Sequence, residues 1–328
     1  MKYNIKKEDI EYIDKKVNFQ AEYLKRYKST INQDTGEFAL SSVYSATHNP
    51  KKYFAEINNR VNNIVSNAKN QGLKPIFITI TAPSKFHKKY KNGDLLISPK
   101  DTAKELSKIF NSFTKLKIFD NIKKEYNYKM TYFRVYEPHK SGVPHLHAML
   151  FLPTQTILSV KKRFYSYLTS NKWGNNKKSL DFKYTWYKDK GGAVGYIMKY
   201  ILKSFKNEDN EQDLQLTTYW YLKFRVIRFL SSRSLASLSV YRKIRYFFKN
   251  RFKNDLVDIK TMIDNGQIYP SFCEFNKDGS KIWSTAENIN FRYIDKDGEI
   301  VDLLLWSKST EAILYNRSNS DGRFHIKY

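Results

Sequence analysis

The stretch that most limits what this chain can fold into runs from Arg134 to Phe151, "RVYEPHKSGVPHLHAMLF". Two runs of strand-forming residues flank "HKSG", which has the composition of a tight turn, so the segment is read as an antiparallel hairpin. Side chains two apart on a strand share a face. His145 and His147 therefore point one way, while Pro144, Leu146, Ala148 and Leu150 point to the natural core side. A turn centred on Ser141 brings Glu137 directly across from His145, with Cβ atoms about 5 Å apart. The chain has six histidines, and three of them fall between His139 and His147. Two imidazoles and a carboxylate on one patch form a donor set that can hold a divalent cation and leave positions for substrate oxygens. A His-x-His pair alone is a common accident; the glutamate opposite gives it weight. His139 is assigned to the turn, as an outer partner of the site or as an exposed loop histidine.

The flanking sequence builds an α+β frame around this hairpin. "NPKKYFAEINNRVNNIVSNAKNQG" carries Asn49 as a cap, Pro50 in the first turn and Gly72 at the end, which predicts a helix. "KPIFITITAP" follows as a buried strand, and Ser98 to about Tyr126 is helix-like, with Leu106, Phe110, Phe113 and Leu116 as its apolar positions. Residues 157–170 read as helix and 180–188 as strand. A last helix starts after the glycine pair of "GGAVGYIMKYILKSF". The expected fold class is thus α+β, a central antiparallel sheet flanked by helices. Residues 1–71 are read as a mainly helical N-terminal extension and 72–207 as the domain carrying the histidines. After the acidic stretch "EDNEQD", 214–328 is read as a basic C-terminal α/β region for DNA binding or an accessory role. It ends with a hairpin signal, "FRYIDKDGEIVDLLL", turning at Asp297-Gly298.

Charge indicates the partner. A net charge of +26 points to a polyanion, most often nucleic acid. An AT-rich genome, which enriches Lys along with Asn, Ile, Tyr and Phe, is the competing explanation. Residues 214–254 contain no acid, and ten Lys and Arg lie between Lys223 and Lys253, interleaved with Tyr241, Tyr246, Phe247 and Phe248. Arg225, Arg228, Arg242, Lys243 and Arg245 are the candidate DNA contacts there, against the plainer reading of a solvated basic helix. The single cysteine, Cys273, excludes a disulfide framework and any multi-cysteine zinc module, and fits a reducing cytoplasm. The N-terminus has no apolar core of a secretory signal, and no apolar run approaches the roughly 20 residues that span a bilayer, so no membrane is expected.

In "GYIMKYILKS", Tyr196 and Tyr200 are four apart, as are Lys199 and Lys203, so on a helix each pair projects from one face. A tyrosine hydroxyl becomes a useful nucleophile where a cation favours its anion. Nearby lysines stabilise charge on a phosphate under attack. By itself the segment reads more simply as an amphipathic helix with aromatic ridges and a basic face.

Taken together, "FITITAPSKFH" (77–87), "RVYEPHKSGVPHLHAMLF" (134–151) and "GYIMKYILKS" (195–204) resemble the three motifs of the HUH endonucleases. The chain is most similar to the two-tyrosine rolling-circle replication initiators, the gene A type of small single-stranded DNA phages. The likeness covers roughly residues 72–206 and implies a ferredoxin- or RRM-like HUH fold. It also implies that His145, His147 and Glu137 bind Mg²⁺ or Mn²⁺, that Tyr196 and Tyr200 are the nucleophiles, and that Lys199 is the motif lysine; Lys203, four residues on, is a candidate DNA contact by its spacing. The implied reaction nicks one strand of single-stranded or supercoiled origin DNA, leaving a 5′-phosphotyrosine and a 3′-OH for a host polymerase; the second tyrosine then allows rejoining. No G-x-x-x-x-G-K-[ST] segment occurs, so a host helicase is the expected partner, in a bacterial cytoplasm. Thr79 and Thr81 either help build the site or simply suit a strand. His87 is read as a DNA contact or a surface loop residue.

Two rivals remain at this point. A two-tyrosine HUH transposase shares the chemistry, but those carry a cysteine cluster that this chain lacks. A non-catalytic single-stranded DNA-binding protein would use the aromatic and cationic run alone.

Overall fold

The computed structural model describes residues 2–31, 47–174, 179–185, 195–196, 199, 211–248, 255–275 and 281–307, the backbone alone in parts of these. The chain divides into two compact units, Met1–Gln20 with Ser45–Ser232, and Ala21–Tyr44 with Arg233–Tyr328.

Helix α1 (Lys7–Ile31) belongs to the first unit up to Gln20 and to the second from Ala21, and α2 (Pro50–Asn70) lies within the first. The Asn49 side chain accepts from the Lys52 amide at 3.1 Å, and Pro50 needs no partner for its missing N–H, so α2 starts where the caps require. Ile57, Val61, Ile64 and Ala68 recur at helical spacing and are all buried. Gly72, at φ 69°, turns the chain out of the helix into β1 (Lys74–Thr81).

The helix expected from Ser98 to Tyr126 is two helices, α3 (Pro99–Thr114) and α4 (Lys117–Tyr126). In one continuous helix Phe119 would lie about 240° round the axis from Phe113, on the solvent side. The extended backbone at Leu116 breaks the run and folds Phe119 back onto Phe113, ring centroids 5.2 Å apart. Both rings are then buried.

The hairpin forms β2 (Thr131–Pro138) and β3 (Pro144–Leu152), followed by α5 (Ile157–Ser170) and β4 (Leu180–Lys183). Helix α6 (Glu211–Phe224) leads to a short β5 (Phe229–Ser231), and the five strands pair in the order β4-β1-β3-β2-β5, all antiparallel. The unit is therefore a mixed α and β fold on an antiparallel sheet. Helices α3 and α5 cover one sheet face, through Phe110 on Tyr132 at 5.1 Å and Phe164 on Phe182 at 5.6 Å. Arg134 points to this face and lays its guanidinium over the Phe110 ring at 4.9 Å. Strand β5 is secured from α2, whose Arg60 Nε–H donates to Ser231 Oγ at 2.7 Å.

The hairpin turn is held from outside. The Tyr3 amide donates to Lys140 O at 3.0 Å, and the buried Trp220 of α6 donates from Nε1 to Gly142 O at 2.8 Å. Gly142 sits at φ 93°, where an added Cβ would lie 2.6 Å from the Tyr3 carbonyl oxygen. A side chain there is strained in backbone and in space at once, at a cost of about 2 kcal/mol or more. Gly142→Ala is expected to lower Tm by roughly 4–8 °C in a calorimetric scan; an unchanged Tm would show that the N-terminal segment does not clamp the turn.

The second unit contains α7 (Leu238–Phe248), α8 (Asp255–Asp264) and strands β6 (Ile268–Phe275), β7 (Lys281–Ile294) and β8 (Ile300–Ser307), an antiparallel sheet in the order β6-β7-β8. Ile244, Leu256, Ile259, Ile268 and Ile289 are among its buried residues. The β7–β8 turn forms over Asp295–Glu299 with Gly298 at φ 85°, as the Asp-Gly pair predicts. Among the described residues no helix is long and apolar enough to cross a membrane.

Candidate active site

The sheet face opposite α3 and α5 carries the histidines. Strand pairing sets Glu137 against His145 and Val135 against His147, the register that a turn centred on Ser141 requires. On the other side of β3, β1 pairs Thr79 with His147 and Thr81 with His145. Each threonine hydroxyl meets an imidazole Nδ1, Thr79 Oγ1 at 3.0 Å from His147 and Thr81 Oγ1 at 2.9 Å from His145. The two imidazoles lie parallel within 5°, ring centroids 6.3 Å apart. With Nδ1 of each ring on a threonine hydroxyl, Nε2 is the nitrogen each imidazole has for a further partner.

His147 is 6% exposed, and its Nε2 lies 3.1 Å from Glu137 Oε2. Burial, reinforced by neighbouring His147 and His139, pushes His145 down to about 4, so its imidazole is neutral at pH 7. Among the described residues no three His, Cys, Asp or Glu side chains converge as a preformed cation cage. The donor chemistry nevertheless suits a divalent ion: two imidazoles with oriented Nδ1 atoms and a carboxylate already in contact with one Nε2.

Phe77 joins the histidines to the tyrosine. On the same face of β1 as Thr79, it stacks on His147 at 5.6 Å and 17°, and takes the Tyr196 ring edge-on at 4.8 Å and 85°. Lys183, which β4 pairs with Phe77, holds its Nζ 4.4 Å from the centre of the Tyr196 ring. The sequence did not single out Lys183, because a four-residue edge strand offers little pattern, and only its pairing with β1 brings it to the tyrosine. Lys199 is helical and exposed. Tyr200 and Lys203 lie outside the described residues.

Two further histidines reach this patch. His139 lies in the turn, its ring 5.2 Å from His145, and His87 meets His139 edge-on at 5.6 Å. Both present Nδ1 to Ser141 Oγ at 3.2 Å, and burial holds His87 below its ordinary value. Four of the six histidines thus form one string of ring contacts, which could be read from the sequence only for the three in the hairpin.

The candidate DNA contacts are spread over both units. Arg225 is exposed just past α6, at φ 51°. Arg228 is half-buried, its guanidinium 4.4 Å over the Tyr221 ring, and Tyr221 in turn donates to the Tyr136 carbonyl. Arg242, Lys243 and Arg245 lie on α7 in the second unit; the Arg242 side chain is half-exposed, and those of the other two are outside the described residues.

Comparison with known proteins places the chain. The family described as bacteriophage replication gene A protein (GPA) matches residues 6–208. The chain is 29% identical over 245 residues to the replication gene A protein of Escherichia phage P2, an alignment covering 65% of this chain and 31% of that protein. It is 31% identical over 335 residues to the probable replication protein P12 of Pseudoalteromonas phage PM2, covering 89% of this chain and 50% of the relative. With the replication protein of Haemophilus phage HP1 the identity is 27% over 230 residues, 65% of this chain and 29% of the relative. The chain therefore spans half or less of the length of these relatives. No solved structure matches it significantly. A family match over the whole histidine-bearing sheet, and relatives whose names agree, make this chain a member of the bacteriophage replication gene A protein family.

Proposed function

We propose that this protein initiates rolling-circle replication by cutting and rejoining one DNA strand at an origin through a tyrosine of the HUH type. The observation that supports the reading is Phe77, whose ring stacks on His147 at 5.6 Å and meets Tyr196 in a T-shaped contact at 4.8 Å, so the candidate nucleophile stands one ring away from the imidazoles.

The chemistry is a transesterification. The oxygen of Tyr196 or Tyr200 bonds to the scissile phosphorus, the bond to the 3′ oxygen breaks, and the phenol proton lost is balanced by the proton that the 3′-OH gains. The product is a 5′-phosphotyrosine and a free 3′-OH; the other tyrosine of the pair then cuts the regenerated origin, and the 3′-OH released attacks the phosphotyrosine, rejoining the ends and returning the phenol, so the phosphodiester energy is conserved. Bound at His145, His147 and Glu137, Mg²⁺ or Mn²⁺ would polarise the phosphate and offset its charge. Lys183 holds its ammonium 4.4 Å from the Tyr196 ring centre, where it would offset charge building on the phosphate, and Lys199 is the motif lysine of the same segment. Lys203, Arg225, Arg228, Arg242, Lys243 and Arg245 are the candidate contacts to DNA phosphates. The 3′-OH primes a host DNA polymerase and a host helicase unwinds the duplex, in the cytoplasm of the bacterial host.

The test is a covalent adduct. The protein is incubated with Mn²⁺ and supercoiled or single-stranded DNA of the element that encodes it, then resolved under denaturing conditions. A DNA-linked band that withstands denaturant is expected. Binding without any adduct would overturn the nuclease reading and leave a single-strand binder.

A further inference from the structure

We propose that Thr79 and Thr81 are positioning residues whose hydroxyls set the tautomers of His147 and His145, switching the patch between a closed form and a cation-binding form. The inference rests on the metal reading above.

Two identical contacts motivate it. β1 and β3 pair Thr79 with His147 and Thr81 with His145, and both hydroxyls sit at Nδ1, at 3.0 and 2.9 Å. Paired side chains on adjacent strands have Cβ atoms about 5 Å apart, so the contact is a consequence of register. A neutral imidazole has one nitrogen that donates and one that accepts. The 3.1 Å contact between His147 Nε2 and the Glu137 carboxylate requires the proton on Nε2. In the neutral ring Nδ1 is then bare and accepts from the Thr79 hydroxyl. A cation needs the Nε2 lone pair instead, so the proton must stand on Nδ1 and donate to Thr79 Oγ1. One N–H changes nitrogen, one hydroxyl rotates, and the net charge of the imidazole is unchanged.

Only a hydroxyl serves both states, because it donates and accepts. A carbonyl or carboxylate at this place would hold the ligating tautomer permanently, and an aliphatic side chain would hold neither. The same exchange frees Glu137 Oε2 from the imidazole to join the cation. This accounts for the absence of a preformed three-donor cage among the described residues: the His147–Glu137 hydrogen bond is the closed form. Thr81 meets His145 Nδ1 in the same way two residues along the same strand pair, and the two imidazoles lie parallel within 5°.

The test uses the full chain and Mn²⁺ alone. Thr79→Val with Thr81→Val keeps shape and removes both hydroxyls; Thr79→Ser with Thr81→Ser keeps the hydroxyls. Titration calorimetry is expected to give roughly 10- to 100-fold weaker Mn²⁺ binding in the valine pair, restored to within about 3-fold in the serine pair. Imidazole ¹⁵N spectra of the metal-free protein should show His147 protonated at Nε2 in wild type and moved to Nδ1 on adding Mg²⁺. Valine variants that bind Mn²⁺ as wild type does would overturn this role and leave the metal reading intact. A wild-type protein with no Mn²⁺ affinity would overturn both.

Discussion

A chain with phenylalanine at both Tyr196 and Tyr200 is expected to bind single-stranded DNA as wild type does and to form no covalent adduct, with strand cleavage reduced by at least about 10⁴-fold. That magnitude is what loss of an enzymic nucleophile removes where binding and electrostatics remain. The substitution is close to neutral for packing at Tyr196. A phenylalanine ring keeps the edge-on contact with Phe77 and the face presented to Lys183, and loses only the hydroxyl. Retained adduct would move the nucleophile to another residue. Loss of DNA binding in the same variant would show that the hydroxyls hold the strand and do not attack it. Single replacements then separate the first cut from the rejoining step, read as nicked circles against closed ones.

The second large effect is expected from His145→Ala with His147→Ala. Metal-dependent nicking should fall by about 10³-fold, since a bound cation contributes several kcal/mol to a phosphoryl-transfer transition state. The variant also removes a side chain that is 6% exposed and bonded to Thr79 and Glu137, so some stability is lost as well. A substitution of this kind costs about 1–3 kcal/mol, and a thermal melt beside the activity assay separates the two losses. Full nicking by a folded double variant would remove the metal assignment while leaving the tyrosine chemistry standing.

Much of the sheet is legible in local pattern. Alternation along 144–150 assigns His145 and His147 to one face, and the "HKSG" turn sets the Glu137–His145 register, because strand side chains have a period of two. Caps place α2, through Asn49 and Pro50. What local pattern misreads is the stretch from Ser98 to Tyr126, where periodicity continues and the phase changes. The break at Leu116 is decided by where Phe119 must be buried. The fifth strand is also illegible: three residues, Phe229–Ser231, form it because β2 has a free edge and Arg60 reaches Ser231.

By itself the sequence determined which residue types face together within each element: the histidines with their glutamate on one hairpin, and the tyrosines and lysines at helical spacing. Only the tertiary structure decided which elements meet. Thr79 stands 68 residues from His147, and Lys183 and Tyr196 belong to different elements; no local preference couples them. Antiparallel pairing of β1 with both β3 and β4 does so, because a ladder's register carries every side chain of one strand to a defined partner on the next.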